Sequence, residues 1–126
     1  MEAKELMIKD WVLSDGEPTI VMQLDDVGNI FTAKNPYRPN VDVKPIPVTS
    51  EFLETNFKKR AEANIFFAHR IEIHPLSNKV ISYTIKYNDL SDNCIDYFCN
   101  YVHELQHALR LCGLDNVANK FEIAKR

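Results

Sequence analysis

The chain has only three glycines in 126 residues. A phosphate-cradling loop needs clustered glycines so that backbone N–H groups can close on the anion, and no such cluster exists, which excludes the Gly-rich nucleotide loops. Cysteine is equally scarce: Cys94, Cys99 and Cys112, an odd number with no C-x-x-C spacing. That speaks against a disulfide framework and fits a reducing cytosol. No apolar run approaches the roughly 18 residues of a membrane span. The opening Met1-Glu2-Ala3-Lys4-Glu5 is charged where a secretory leader would be apolar, so a cytoplasmic protein with no membrane partner is expected. A large excess of one charge is also missing. Fifteen basic and 18 acidic residues give a net charge of −3, hence no general attraction to nucleic acid or anionic lipid.

What is present is an ordinary globular composition, 45% hydrophobic and 26% charged. The length suits one domain or two small packed units. The first third reads as strands. Leu6-Met7-Ile8 and Trp11-Val12-Leu13 precede Asp15-Gly16, a turn pair that supports positive φ; Thr19–Leu24 is rich in β-branched residues, and Ile30–Ala33 follows a second turn. Short strands with tight turns predict a small barrel or curled sheet over residues 1–48. Val41–Val48 alternates apolar and polar before its prolines confine it to an edge or connector. Thr49 or Ser50 then caps a helix ending in Lys58-Lys59-Arg60. Residues 65–74 read as one long strand, and Lys79–Tyr87 as its return. These basic residues, with Lys120, Lys125 and Arg126, read as solvated surface charge. The expected fold class is α+β: an SH3-like β-barrel or curled sheet, a helix, a β-hairpin and a C-terminal amphipathic helix, with residues 49–126 packed on 1–48.

The last helix is the cleanest signal. Starting between Asn93 and Asn100 and ending at Gly113, it places Phe98, Val102, Leu105, Leu109 and Cys112 at helical spacing, with Cys99 and Cys112 as small apolar residues on it. It also contains His103-Glu104-Leu105-Gln106-His107, the H-E-x-x-H spacing of zinc peptidases. In that chemistry His103 and His107 share a zinc ion, and Glu104 activates the metal-bound water. A third ligand is required. The extended form wants glycine and histidine where this chain has Arg110 and Gly113, and Glu122 is the one glutamate after His107. His69 and His74 differ by an odd number, so a regular strand sends them to opposite faces. With Val102 at zero, the apolar stripe falls around 280–340° and the two histidines near about 100–140°. The pattern fixes three positions, which occur by chance roughly once per few hundred chains of this length. The reading is therefore a polar helix face that meets water, with no cofactor; a minimal zinc hydrolase is the alternative. Cys99 and His103, four apart, read as packing and surface rather than a nucleophile pair.

Three stretches resemble a known group. Glu5–Val12 resembles an "L-x-I-G-[DN]-x-V" start, Pro45-Ile46-Pro47-Val48-Thr49 with Phe52-Leu53 resembles "P-I-P-L-T-x-x-[WF]-L", and Tyr101–Gln106 resembles a "Y-V-H-[EQ]-L-Q" helix. All three are features of short uncharacterised proteins of gut anaerobic bacteria, their phages and mobile elements. Lys9 departs from that pattern, which more often has glycine. The resemblance implies that the positions of Glu104 and His107 are interchangeable with glutamine and asparagine, and either swap destroys peptidase chemistry. The N-terminal stretch also resembles small SH3-like barrels of the KOW type, which implies a binding module. The expected function is a non-enzymatic interaction module of a mobile element or phage, with protein or nucleic acid as partner. Its candidate binding surface is Trp11, Lys34, Tyr37 and Arg38, the aromatic and basic residues around the first sheet.

Overall fold

The structure, a computed structural model, describes residues 1–59, 65–68, 71–75, 83–88 and 94–123. A 3₁₀ turn at Ala3–Glu5 leads into β1 (Trp11–Ser14) and β2 (Glu17–Leu24). These two strands are joined by Asp15-Gly16, with φ of 53° and 77°. Two central residues at positive φ match the right-handed twist of a hairpin, which is why Asp-Gly occupies this turn. β3 (Ile30–Thr32) returns along β2. The register slips between Val21 and Gln23, and such a bulge bends the strand. β4 (Val43–Lys44) pairs with the other side of β1, so the order is β3-β2-β1-β4. The result is a curled antiparallel sheet, half of a barrel. Inside the curl Val12, Val21 and Ile30 meet Leu6 in a small core. Leu13 and Trp11 face the opposite way, into the main core. β1 is thus covered on both faces, which accounts for its unbroken Trp-Val-Leu run.

Beyond β4, Ile46 and Val48 are buried and lead to α1 (Ser50–Asn56). Thr49 Oγ1 accepts from the Phe52 N–H at 3.1 Å, the N-cap bond that starts the helix. A five-stranded antiparallel sheet follows in chain order: β5 (Lys58–Lys59), β6 (Phe66–Ala68), β7 (Ile71–Pro75), β8 (Tyr83–Asn88) and β9 (Cys94–Cys99). Then come α2 (Val102–Leu111) and α3 (Asp115–Asn119). Gly113, at φ 79°, turns the chain out of α2, and Leu114 N–H closes on Leu109 C=O at 2.9 Å. The main core joins Phe52, Leu53 and Phe57 to Phe66, Ile71, Ile73, Leu105, Leu109 and Phe121. The fold is α+β. Among the described residues no helix is long and apolar enough to cross a membrane.

Several expectations are corrected. Leu6-Met7-Ile8 is not a strand. Asp10 N–H donates to Met7 C=O, closing a four-residue turn with Lys9 at φ 73°. Residues 65–74 are not one strand: Phe66↔Ile73, Phe67↔Glu72 and Ala68↔Ile71 pair antiparallel, so the chain reverses inside that run. Lys58-Lys59 forms an edge strand rather than a helix end, and Arg60 lies outside the described residues. The last helix starts at Val102. Phe98 and Cys99 belong to β9, which pairs with β8 from Asn88↔Cys94 to Tyr83↔Cys99. Phe98 fits both periods, and the long antiparallel ladder decides between them. The tail forms α3.

Lys9 carries a measurable strain. A left-handed backbone costs a residue with a Cβ roughly 1–2 kcal/mol. Its side chain is exposed and its N–H is bonded to Val21 C=O, so only the backbone is at issue. Lys9→Gly is expected to raise stability by about 0.5–1 kcal/mol, part of the relief being lost to unfolded-state entropy. Urea denaturation checks it.

Candidate functional site

The site is the side of α2 opposite its apolar stripe. On the helical wheel Gln106 falls near about 40° and Arg110 near about 80°, beside the two histidines. Together they make one continuous polar arc, and that arc docks on the turn leading into β1. A water-facing helix side is therefore the wrong reading. Both sides of α2 are covered, one by the main core and one by the half-barrel, and His103 is 6% exposed.

Asp10 sits at the centre with no exposed surface. Its Oδ2 accepts from Met7 N–H at 2.8 Å and from His107 Nε2 at 2.5 Å. Its Oδ1 accepts from Arg110 at 2.5 Å, and the other guanidinium nitrogen reaches Asn119 Oδ1 at 3.1 Å. A buried carboxylate is tolerated only when paired and fully hydrogen-bonded, and here three donors meet it. Beside it Gln106, also wholly buried, bonds three backbone groups on two segments. Its Oε1 accepts from Trp11 N–H at 2.8 Å, and its Nε2 donates to Lys9 C=O at 3.1 Å and Ala118 C=O at 3.0 Å. The half-barrel, α2 and α3 are held at one side chain.

Glu104 faces elsewhere. Its Oε1 accepts from the Asn100 and Tyr101 N–H groups, both at 3.0 Å. These bonds satisfy donors at the helix start, the work of a capping glutamate. The His103 ring stacks on Tyr101 (centroids 6.0 Å, planes 9° apart) and meets the edge of His107 at 5.7 Å. Its Nδ1 is buried without a hydrogen-bond partner. Burial pushes its imidazole below the ordinary histidine value of 6.5. Asp10, Glu104 and Glu5 pull the other way, and His107 adds to the depression.

The motif residues are thus bonded within the fold, His107 to Asp10 and Glu104 to the start of its own helix. Among the described residues, no group of three or more His, Cys, Asp or Glu side chains could hold a metal ion. His74 lies on β7, with Nε2 3.0 Å from Glu72 Oε2, and His69 is outside the described residues. Cys99 is on β9 rather than a helix, and burial, with Glu104 adding, pushes its thiol up to about 12, far from a thiolate nucleophile. Of the expected binding surface, Tyr37 is 92% exposed and Arg38 is exposed. Lys34, also exposed, pairs with Glu17 at 3.0 Å. Trp11 is half-buried and packs against the main core. Asp10, Gln106 and Arg110 were not singled out by the sequence. No local signal marks them, because a polar arc on α2 reads equally well as a solvated face.

The chain matches no protein-family model, no curated protein and no solved structure.

Gln106→Ala would strand one N–H and two carbonyls, each buried unpaired group costing about 1–3 kcal/mol, so a loss of roughly 3–5 kcal/mol in chemical denaturation is expected. The pH dependence follows from His103. Its folded pKa is depressed, so the native state holds the neutral ring and the unfolded state binds the proton first. This contribution is fully present above about 6.5 and is lost as pH falls below it, toward the lower folded value. His103→Phe is expected to flatten the fall in melting temperature between pH 6.5 and 5.

Proposed function

We propose that the chain is a non-enzymatic interaction module of a bacterial mobile element or phage, acting in the cytoplasm. In this reading the polar side of α2 is an internal strut, and the loop carrying Lys34, Tyr37 and Arg38 makes the outward contact. The observation that carries it is the commitment of the motif. Glu104 is held by two N–H groups of its own helix start, and His107 by the buried Asp10.

A zinc hydrolase is the second reading. It requires Glu104 to leave the cap and His107 to release Asp10, which leaves a buried carboxylate short of a donor. The donor set does not fit it. The resemblance to mobile-element proteins points the same way. Glutamine in place of Glu104 still accepts N–H bonds, and asparagine in place of His107 still donates to a carboxylate.

An exposed tyrosine next to an arginine offers a stacking face and a planar cation, which suit either a protein partner or a single-stranded nucleic acid. The net charge of −3 favours protein.

Two measurements test this. Protein purified without chelator or a nickel column is expected to carry no stoichiometric zinc by mass spectrometry. His107→Ala is expected to cost about 1.5–3 kcal/mol of stability, the worth of a hydrogen bond to a charged group. Stoichiometric zinc that disappears in His107→Ala, with stability unchanged once metal is removed, reverses the ranking.

A further inference from the structure

We propose that Tyr37 is the anchor of a protein interface, a knob that enters an apolar socket with a carboxylate at its rim to meet Arg38. This rests on the reading of that loop as the outward contact, and it names what the loop meets.

The half-barrel is built to hold the loop. Its buried hydroxyls, Ser14 on β1, Thr19 on β2 and Thr32 on β3, all bond to it. Ser14 Oγ donates to Val41 C=O at 2.7 Å and accepts from Asn35 Nδ2 at 3.0 Å. Thr19 Oγ1 accepts from Lys34 N–H at 3.1 Å, and Thr32 Oγ1 from Asn35 N–H at 3.2 Å. At the far end Asn40 meets Ile30 twice: its N–H donates to Ile30 C=O at 2.9 Å, and its Oδ1 accepts from Ile30 N–H at 2.8 Å. Asn40 and Asp42 stand at φ 57° and 42°, a left-handed region that Asn and Asp enter more readily than other residues with a Cβ. Between these clamps Pro36 and Pro39 fix their own φ and hold Asn35 and Arg38 toward extended backbone.

What the clamps present contributes no bond to the fold. Tyr37 is 92% exposed and Arg38 is exposed, and among the described residues neither has a hydrogen bond, ion pair or ring contact. A loop fixed in advance loses little freedom on binding, which lowers the cost of association. Tyrosine and arginine are among the residues that most often dominate interface energy. The knob is convex, so the surface that receives it is concave. Charge decides between the two classes of partner. A single-stranded nucleic acid needs a basic groove along its backbone. Here the two lysines nearest in the chain are taken, Lys34 by Glu17 at 3.0 Å and Lys44 by Asp42 at 3.5 Å, which leaves one guanidinium beside the ring. A single planar cation matches one carboxylate, not a run of phosphates.

The test introduces Tyr37→p-azidophenylalanine, in which an azide replaces the hydroxyl, into the full chain and irradiates it in the cell that makes the protein. The same probe at Val27, 83% exposed on the turn between β2 and β3, is the control. A discrete protein adduct is expected at position 37 and not at position 27, resistant to nuclease and reduced about tenfold by Arg38→Glu. With the adducted protein purified, Tyr37→Ala is expected to weaken binding about thirtyfold and Tyr37→Phe by less than about threefold, with the melting temperature unchanged in both. No adduct specific to position 37 overturns this inference and the reading of the loop together. A nuclease-sensitive adduct, an adduct with a second copy of this chain, indifference to Arg38→Glu, or a melting temperature lowered by Tyr37→Ala overturns the inference alone.

Discussion

One buried negative charge organises this molecule. Asp10 is removed from water at the end of a tight turn, and an unpaired carboxylate there would cost several kcal/mol. Its partners fix what surrounds it. Met7 N–H closes the turn, and His107 and Arg110 bring in α2 from the other end of the chain. Gln106, between them on the helix, completes the junction with backbone bonds to Lys9, Trp11 and Ala118. Hydrophobic burial supplies most of the stability of such a fold. Burial is non-directional, however, and the angle between half-barrel and helix is set by these directional contacts. The same junction explains the backbone of Lys9, whose left-handed conformation turns Asp10 inward.

The five residues of the H-E-x-x-H pattern show how far a side chain's chemistry depends on its neighbours. Glu104 resembles a general base in the sequence and is a cap in the structure. His107 resembles a ligand and is a donor to a carboxylate. Gln106, which the pattern treats as a spacer, has the most structural consequence of the five. His107 meets a carboxylate supplied by a residue 97 positions away.

Local features were legible in the sequence. The Asp15-Gly16 hairpin, the Thr49 cap, the apolar stripe of α2 and its stop at Gly113 all follow from interactions within a few residues. The curled sheet was legible for the same reason, since its strands are joined by short turns. Two kinds of feature were not. Short apolar runs such as 94–99 satisfy both the helical and the strand period, and only pairing with β8 resolves them. The second kind was the destination of a polar surface. The arc from Gln106 to His107 has the composition of a solvated face, and nothing local distinguishes water from a buried aspartate ahead of β1.

The span of that junction also bears on biosynthesis. The backbone N–H of Trp11 waits for an acceptor 95 residues downstream, and Asp10 for a guanidinium 100 residues downstream. At about 5–20 residues per second, a ribosome takes roughly 5–20 s to make the difference. Through that interval the nascent half-barrel has its inner cluster but no cover for Leu13 or Trp11. The order of translation therefore leaves its outer face uncovered before it becomes an interior.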